Sequence, residues 1–159
     1  MQLTHYLTPE SIIVPLKGTT KDEVLAELVT ELSRRKGIVD ADRLLASIKD
    51  REASSSTFLP MGVAVPHARV GLVDEITMIT GISPKGIQDN PKQSPLVANI
   101  FCLFLSPTEE KEFGKHLKLL ARIAAIFSDP KITGELAAMT SPADIFARIQ
   151  KRERKIEKE

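Results

Sequence analysis

The hydrophobic positions of this chain change period along its length, and the changes mark out alternating strands and helices. Ser11 to Val14 is a short β-branched run closed by Pro15, which predicts a strand. Thr20-Lys21-Asp22-Glu23 fits a capping box, and Val24, Leu28 and Leu32, with Leu25 and Val29 beside them, repeat at helical spacing. Gly37 is placed to end that helix in the left-handed conformation. Asp40 can cap a second helix whose stripe is Leu44, Ile48 and Arg51, apolar at first and ending in a cation. Ser54 to Thr57 breaks it. Gly62 to Pro66 predicts a short extended segment leading to His67, and Glu75 to Ile82 a strand, with Gly86 and Pro91 in the loop after it.

The second half continues the alternation. Leu96 to Leu105 is a continuous apolar run of buried-strand type. Ser106-Pro107-Thr108-Glu109 predicts a helix cap, although such boundaries are read loosely and the start can lie several residues later. That helix runs to about Phe127 and carries His116, Leu120, Ile123 and Phe127 on one side, with Leu117, Ala121 and Ala124 nearby. Asp129-Pro130 and Ser141-Pro142 each predict a cap followed by proline at the first helical position. Strands separated by helices imply a single α/β domain, a sheet covered by helices on both faces through crossover connections.

Composition narrows the classes. The 159 residues suit one domain, and with no Trp and few aromatics its core must be aliphatic. A net charge of +1 gives no footprint for nucleic acid. The segment 151–159 carries five basic and three acidic residues, leaving −1 for the remainder, and reads as a solvated, fraying helix end beyond a domain spanning 1–150. Cys102 is the sole cysteine, so an internal disulfide and a cysteine-based zinc site are excluded. The apolar run of ten residues around it is too short to cross a bilayer, and the N-terminus lacks a signal-like region, so a cytoplasmic protein without membrane insertion is expected.

The candidate chemistry rests on few residues. Of three histidines, His67 follows Gly62-Val63-Ala64-Val65-Pro66, where Pro66 stiffens the backbone and small neighbours let a partner approach. By itself the segment also fits a strand ending in a turn with an incidental histidine. His116 lies early in a helix, next to Lys115, where backbone N–H groups favour anions; the alternative is a histidine packing on Leu120. Arg51 can fork onto a phosphate, or make a surface salt bridge. HExxH, GxSxG and GxxxxGK[ST] patterns are absent, so metal, serine-hydrolase and P-loop chemistry find no support, and no cofactor or metal is expected.

Arg51-Glu52, then Ser56-Thr57, then Gly62-Val63-Ala64-Val65-Pro66-His67-Ala68-Arg69 together resemble the signature of IIA domains of the bacterial phosphotransferase system, of the fructose, mannitol and nitrogen-regulatory type. The strand Val97 to Leu105 and the later His116-Leu117-Lys118-Leu119-Leu120-Ala121 are similar to the same family, so the likeness spans about Leu7 to Ile149. The resemblance implies a mixed, mostly parallel sheet. It implies that His67 is the phosphorylated residue, through Nε2, that His116 supports the phosphoryl group, that Arg51 lies near its oxygens, and that Thr57 stands beside the site.

It also implies a relay. A phosphorylated HPr-type carrier delivers the group, and a IIB domain receives it for sugar uptake; in the regulatory branch the phosphorylation state controls a target protein. A chain without an attached IIB domain leans slightly to regulation, and Cys102, inside an apolar strand, cannot act as a IIB cysteine. A degenerate, non-phosphorylated module is disfavoured by the intact histidine pair. The chain departs from the family at Phe58-Leu59-Pro60-Met61, where a Gly-Ile-Gly-like stretch is usual, and Gln88 to Pro95 is unusually polar and proline-rich. Phe58, Leu59 and Met61 are then either an exposed contact rim for partners or core residues covering the sheet edge.

Overall fold

Strand β5, Val97–Ser106, is the hub of the sheet because its side chains alternate between two apolar layers. Ile100, Cys102 and Phe104 face one layer, and Phe101, Leu103 and Leu105 the other. The structure is a computed structural model that describes residues 1–92 and 94–159. Of the Gln88 to Pro95 loop, one position, Gln93, lies outside the described residues.

The sheet has the order β1-β4-β5-β2, with β3 also on β5. β1 is Ile12–Ile13, β2 Val63–Ala64, β3 His67–Arg69 and β4 Thr77–Gln88. Three of the four pairings are parallel, and only β4 runs antiparallel to β5. The expected mixed, mostly parallel sheet is therefore present. Helices α1 (Lys21–Lys36) and α2 (Ala41–Ser54) cover one face. Helices α3 (Phe113–Ile126), α4 (Pro130–Ala137) and α5 (Pro142–Glu157) cover the other.

The caps predicted from sequence hold the helices. Thr20 accepts from the Glu23 N–H, and Gly37 ends α1 at φ 67°. Asp40, Asp129 and Ser141 each accept a backbone N–H at the start of α2, α4 and α5. Glu23 departs from a full capping box, since its carboxylate takes the hydroxyls of Thr19 and Thr20 instead of a backbone N–H.

Four expectations change. Gly86 is not in a loop: it adopts φ 84° inside β4, where the register with β5 shifts between Ile82 and Ile87. An extra residue at such a bulge takes the left-handed conformation that glycine tolerates. Ser106 does not cap α3, because it ends β5; a 3₁₀ turn over Glu110–Glu112 comes first. On α3 the buried side is His116, Leu119, Ile123 and Ile126, whereas Leu117 is exposed.

Finally, 151–159 is not simply a solvated end. It continues α5 to Glu157, and Glu153 is buried. The Glu153 carboxylate accepts the N–H groups of Leu3 and Thr4 at 2.5 and 3.1 Å and the Thr4 hydroxyl at 2.9 Å, with Arg122 Nε 3.8 Å away. A buried carboxylate persists only with such partners.

Candidate phosphoryl-transfer site

His67 opens β3 in register with Phe104 of β5, and its ring stacks on Phe104 at 5.3 Å and 12°. Its delivery is a matter of backbone. Gly62, at φ 86°, turns the chain into β2, and a Cβ there would come within 2.7 Å of Thr133. Val65 and Pro66 then bring the imidazole back against its own strand. His67 Nδ1 lies 2.7 Å from the Val65 carbonyl oxygen. A carbonyl only accepts, so Nδ1 carries the hydrogen and Nε2 keeps its lone pair.

His116 meets it edge-on, with ring centroids 5.1 Å apart. Its Nδ1 is 2.5 Å from Ser106 Oγ, so the serine expected to cap a helix instead orients the second histidine. Phe113 stacks on the outer face of His116, and the Arg69 guanidinium lies over Phe113, 4.7 Å from its centroid. Arg69 itself is fixed by the carbonyls of Thr108 and Glu109.

Both rings are buried, His67 at 8% exposure and His116 at 5%. Burial pushes the His67 pKa below the usual range, aided by the charge of Arg51 and opposed by the Val65 carbonyl and Glu52. Burial, with His67, Arg69 and Arg51 adding to it, pushes His116 down to about 4. Neutral imidazoles at neutral pH follow. A histidine with a depressed folded pKa contributes stability that is present above its unfolded value and lost as the pH falls. Stability is therefore expected to drop as the pH falls from 6.5 towards about 4. His116 contributes part of this, on the order of 1 kcal/mol once solvent screening is allowed for. Urea midpoints at several acidities check it: His116→Gln, which does not titrate, should lose less stability over that window than the wild type.

Arg51 ends the α2 stripe as expected, half-buried, with Nη1 donating to the Ser55 carbonyl at 3.0 Å. Among the described residues no carboxylate lies within ion-pair distance of it, so the surface salt bridge does not form. Its charge is felt at both histidines. Thr57 is tied to the His67 segment by the Val65 N–H, but its hydroxyl is committed to Glu52, to which it donates at 2.5 Å. Phe58 is not an exposed rim: it is buried against Phe101, edge-on at 5.7 Å, while Leu59 and Met61 are half-buried on the opposite core. The exposed apolar residues near the site are Phe113 and Leu117 instead.

A buried ionic network that no sequence motif marks joins the start of α1, the end of α2 and the residue after β4. Lys21 Nζ sits 2.8 Å from Glu52 and 2.7 Å from Asp89, and Ser56 donates to the second Asp89 oxygen. Burial opposes ionisation of Asp89, but the bonds from Lys21, Ser56 and the Asn90 N–H prevail and hold its carboxyl below the usual range. A signal existed: Leu44, Ile48 and Glu52 lie at i, i+4 and i+8, so Glu52 continues the buried stripe more strictly than Arg51. A carboxylate on an apolar face requires a partner. Lys21, Glu52 and Asp89 line an open pocket of about 550 Å³ with Thr19, Lys49 and Asn90, and neither histidine borders it. Among the described residues no three His, Cys, Asp or Glu side chains are grouped to hold a metal ion, and no helix is long and apolar enough to cross a membrane.

Known proteins share this arrangement of fold and sequence. The chain is 28% identical over 147 residues to a nitrogen regulatory protein of Bradyrhizobium diazoefficiens, covering 92% of this chain and 94% of that protein. It is 27% identical over 136 residues to the fructose-specific EIIABC component of Bacillus subtilis, covering 86% of this chain but only 21% of that much longer protein. Among solved structures, the nitrogen regulatory protein IIA-Ntr of Neisseria meningitidis superposes with a TM-score of 0.77 at 25% identity, over 91% of this chain and 97% of that one. The fold of IIA mannitol from Escherichia coli matches at a TM-score of 0.74 and 20% identity, over 90% and 98% of the two chains. Residues 5–152 match the family described as "Phosphoenolpyruvate-dependent sugar phosphotransferase system, EIIA 2", and the chain belongs to that family.

Proposed function

We propose that this chain is a phosphoryl carrier that takes the group from a phosphorylated HPr-type protein onto Nε2 of His67 and hands it to a IIB domain. The observation that carries the reading is the bond between His67 Nδ1 and the Val65 carbonyl, which leaves Nε2 as the nucleophile next to His116. In the forward step the Nε2 lone pair forms a bond to phosphorus, and the phosphorus–nitrogen bond of the donor histidine breaks. The donor imidazole leaves with that electron pair. The positive charge that develops on the His67 ring is stabilised through Nδ1–H by the Val65 carbonyl. With Ser106 donating to Nδ1, His116 offers Nε2–H to a phosphoryl oxygen, and Arg51 supplies charge from α2. The donor brings an activated group, so no nucleotide or metal enters the step.

The low His67 and His116 pKa values suit this role, because a protonated His67 cannot attack. We take the single α/β domain, including α5 to Glu157, as the carrier, working in the cytoplasm. An Escherichia coli complex of IIA mannitol with phosphorylated IIB mannitol has a IIA fold like this one, with a TM-score of 0.74 and 20% identity, which supports a IIB-type acceptor. The end-to-end likeness to a nitrogen regulatory protein supports a second reading, in which phospho-His67 is a signal to a target protein.

Incubation with phosphoenolpyruvate, Enzyme I and HPr, followed by nitrogen–phosphorus NMR, should locate the group at Nε2 of His67. Attachment at Nδ1, on His116, or nowhere would overturn the assignment. Rapid discharge by a IIB domain favours the transport role, and a stable phosphoprotein favours signalling.

A further inference from the structure

We propose that Glu52 is a positioning residue that fixes the tautomer and bearing of His67 through two intervening residues. The route is a chain of three hydrogen bonds running one way. His67 Nδ1–H donates to the Val65 carbonyl at 2.7 Å, the Val65 N–H to the Thr57 carbonyl at 3.1 Å, and the Thr57 N–H to Glu52 Oε2 at 2.9 Å. A second bond, from the Thr57 hydroxyl to Glu52 Oε1 at 2.5 Å, stops Thr57 from rotating about the first. Pro66 lies between Val65 and His67 and has little backbone freedom, so a shift of Val65 moves the imidazole's anchor directly.

Glu52 is in turn held from the far side. Lys21 bridges it to Asp89, and Asp89 grips Ser56, so the turn leading to Thr57 is fastened at both ends. Glu52 is 3% exposed and meets neither ring; its charge reaches His67 through space, its hydrogen bonds reach it through the backbone, and Thr57→Val, which keeps the charge, separates the two. The benefit to phosphoryl transfer rests on the carrier reading above; the effect on the tautomer does not.

The molecule contains its own control. Glu153 grips two backbone N–H groups and a threonine hydroxyl in the same manner, with a cation nearby, but it joins Leu3 and Thr4 to α5, and none of these partners belongs to the Glu52–Thr57–Val65–His67 chain. Nitrogen-15 NMR of the imidazoles, near neutral pH and without phosphorylation, should show His67 of the wild type with Nδ1 protonated and Nε2 bare. In Glu52→Gln the Nε2–H form should appear, and transfer from phosphorylated HPr should slow about 10- to 100-fold in kcat with KM nearly unchanged. Thr57→Val removes only the hydroxyl bond and should show a smaller shift in the same direction. It decides the matter if Glu52→Gln does not fold. Glu153→Gln should lose denaturant stability yet keep the wild-type tautomer and rate. A wild-type tautomer in folded Glu52→Gln and Thr57→Val, or an equal shift in Glu153→Gln, overturns the proposal. Failure of the wild type to be phosphorylated would sink the carrier reading and leave this result standing.

Discussion

Replacing His67 with Ala is expected to abolish phosphorylation, lowering incorporation from phosphorylated HPr by at least about 10⁴-fold. No other side chain in the site can take over. His116 has its Nδ1 committed to Ser106, and Cys102 is fully buried with its thiol pushed up to about 12, so it supplies no thiolate. Removing the imidazole also removes its stack on Phe104, so some loss of stability accompanies the loss of function. His67→Asn separates the two effects, because an asparagine places an N–H near the Nδ1 position and offers no nucleophilic ring nitrogen. Both variants should show no phosphoryl adduct by intact-mass spectrometry, and the Asn variant should melt closer to the wild type. An adduct retained in either one would remove His67 from the reaction.

Arg51→Ala should slow transfer by roughly 30- to 1000-fold, equivalent to about 2–4 kcal/mol of transition-state stabilisation. The guanidinium is half-buried, is bonded to one backbone carbonyl and meets no carboxylate among the described residues, so its charge is available to an incoming anion. Both histidines already feel that charge. The solvent-exposed bond to the Ser55 carbonyl contributes on the order of 1 kcal/mol to folding, so a denaturant melt should move far less than the rate. Arg51→Lys keeps the charge but loses the planar fork that matches two phosphoryl oxygens, and should recover only a small part of the rate. Rapid-quench transfer measurements from phosphorylated HPr, run beside the melts, check this. Wild-type rates in both variants would reduce Arg51 to a helix-end contact.

The elements were legible where local chemistry decides them. Thr20, Asp40, Asp129 and Ser141 cap helices because a side-chain oxygen two or three residues before a free N–H has one good use. The alternation of β5 across two layers was visible only as an unbroken apolar run, which cannot say which side faces which helix. The histidine pair was legible through family resemblance and not through spacing, since 49 positions separate two rings that meet at 5.1 Å. Ser106 carries a misleading signal, because a serine before a proline is a good cap, and nothing local reveals a histidine ring 2.5 Å from its hydroxyl. Phe58 fits surface or core equally by sequence, because its partner, Phe101, lies on another strand. Glu52 is legible in the sequence, as its place on the apolar stripe of α2 demands a buried cation or donor.

The Glu153 clamp has a consequence for how the molecule opens. Leu3 and Thr4 are near one end of the chain and Glu153 near the other, yet their bonds close a loop of 150 residues. Segments so far apart in sequence ordinarily open independently, each at small cost. Here the first turn cannot peel away without stranding a carboxylate inside the protein, and the last turns of α5 cannot leave without stranding two amides. The two ends therefore open as one cooperative unit, and hydrogen exchange at the amides of Leu3 and Thr4 reports on the detachment of α5, not on local motion at the N-terminus.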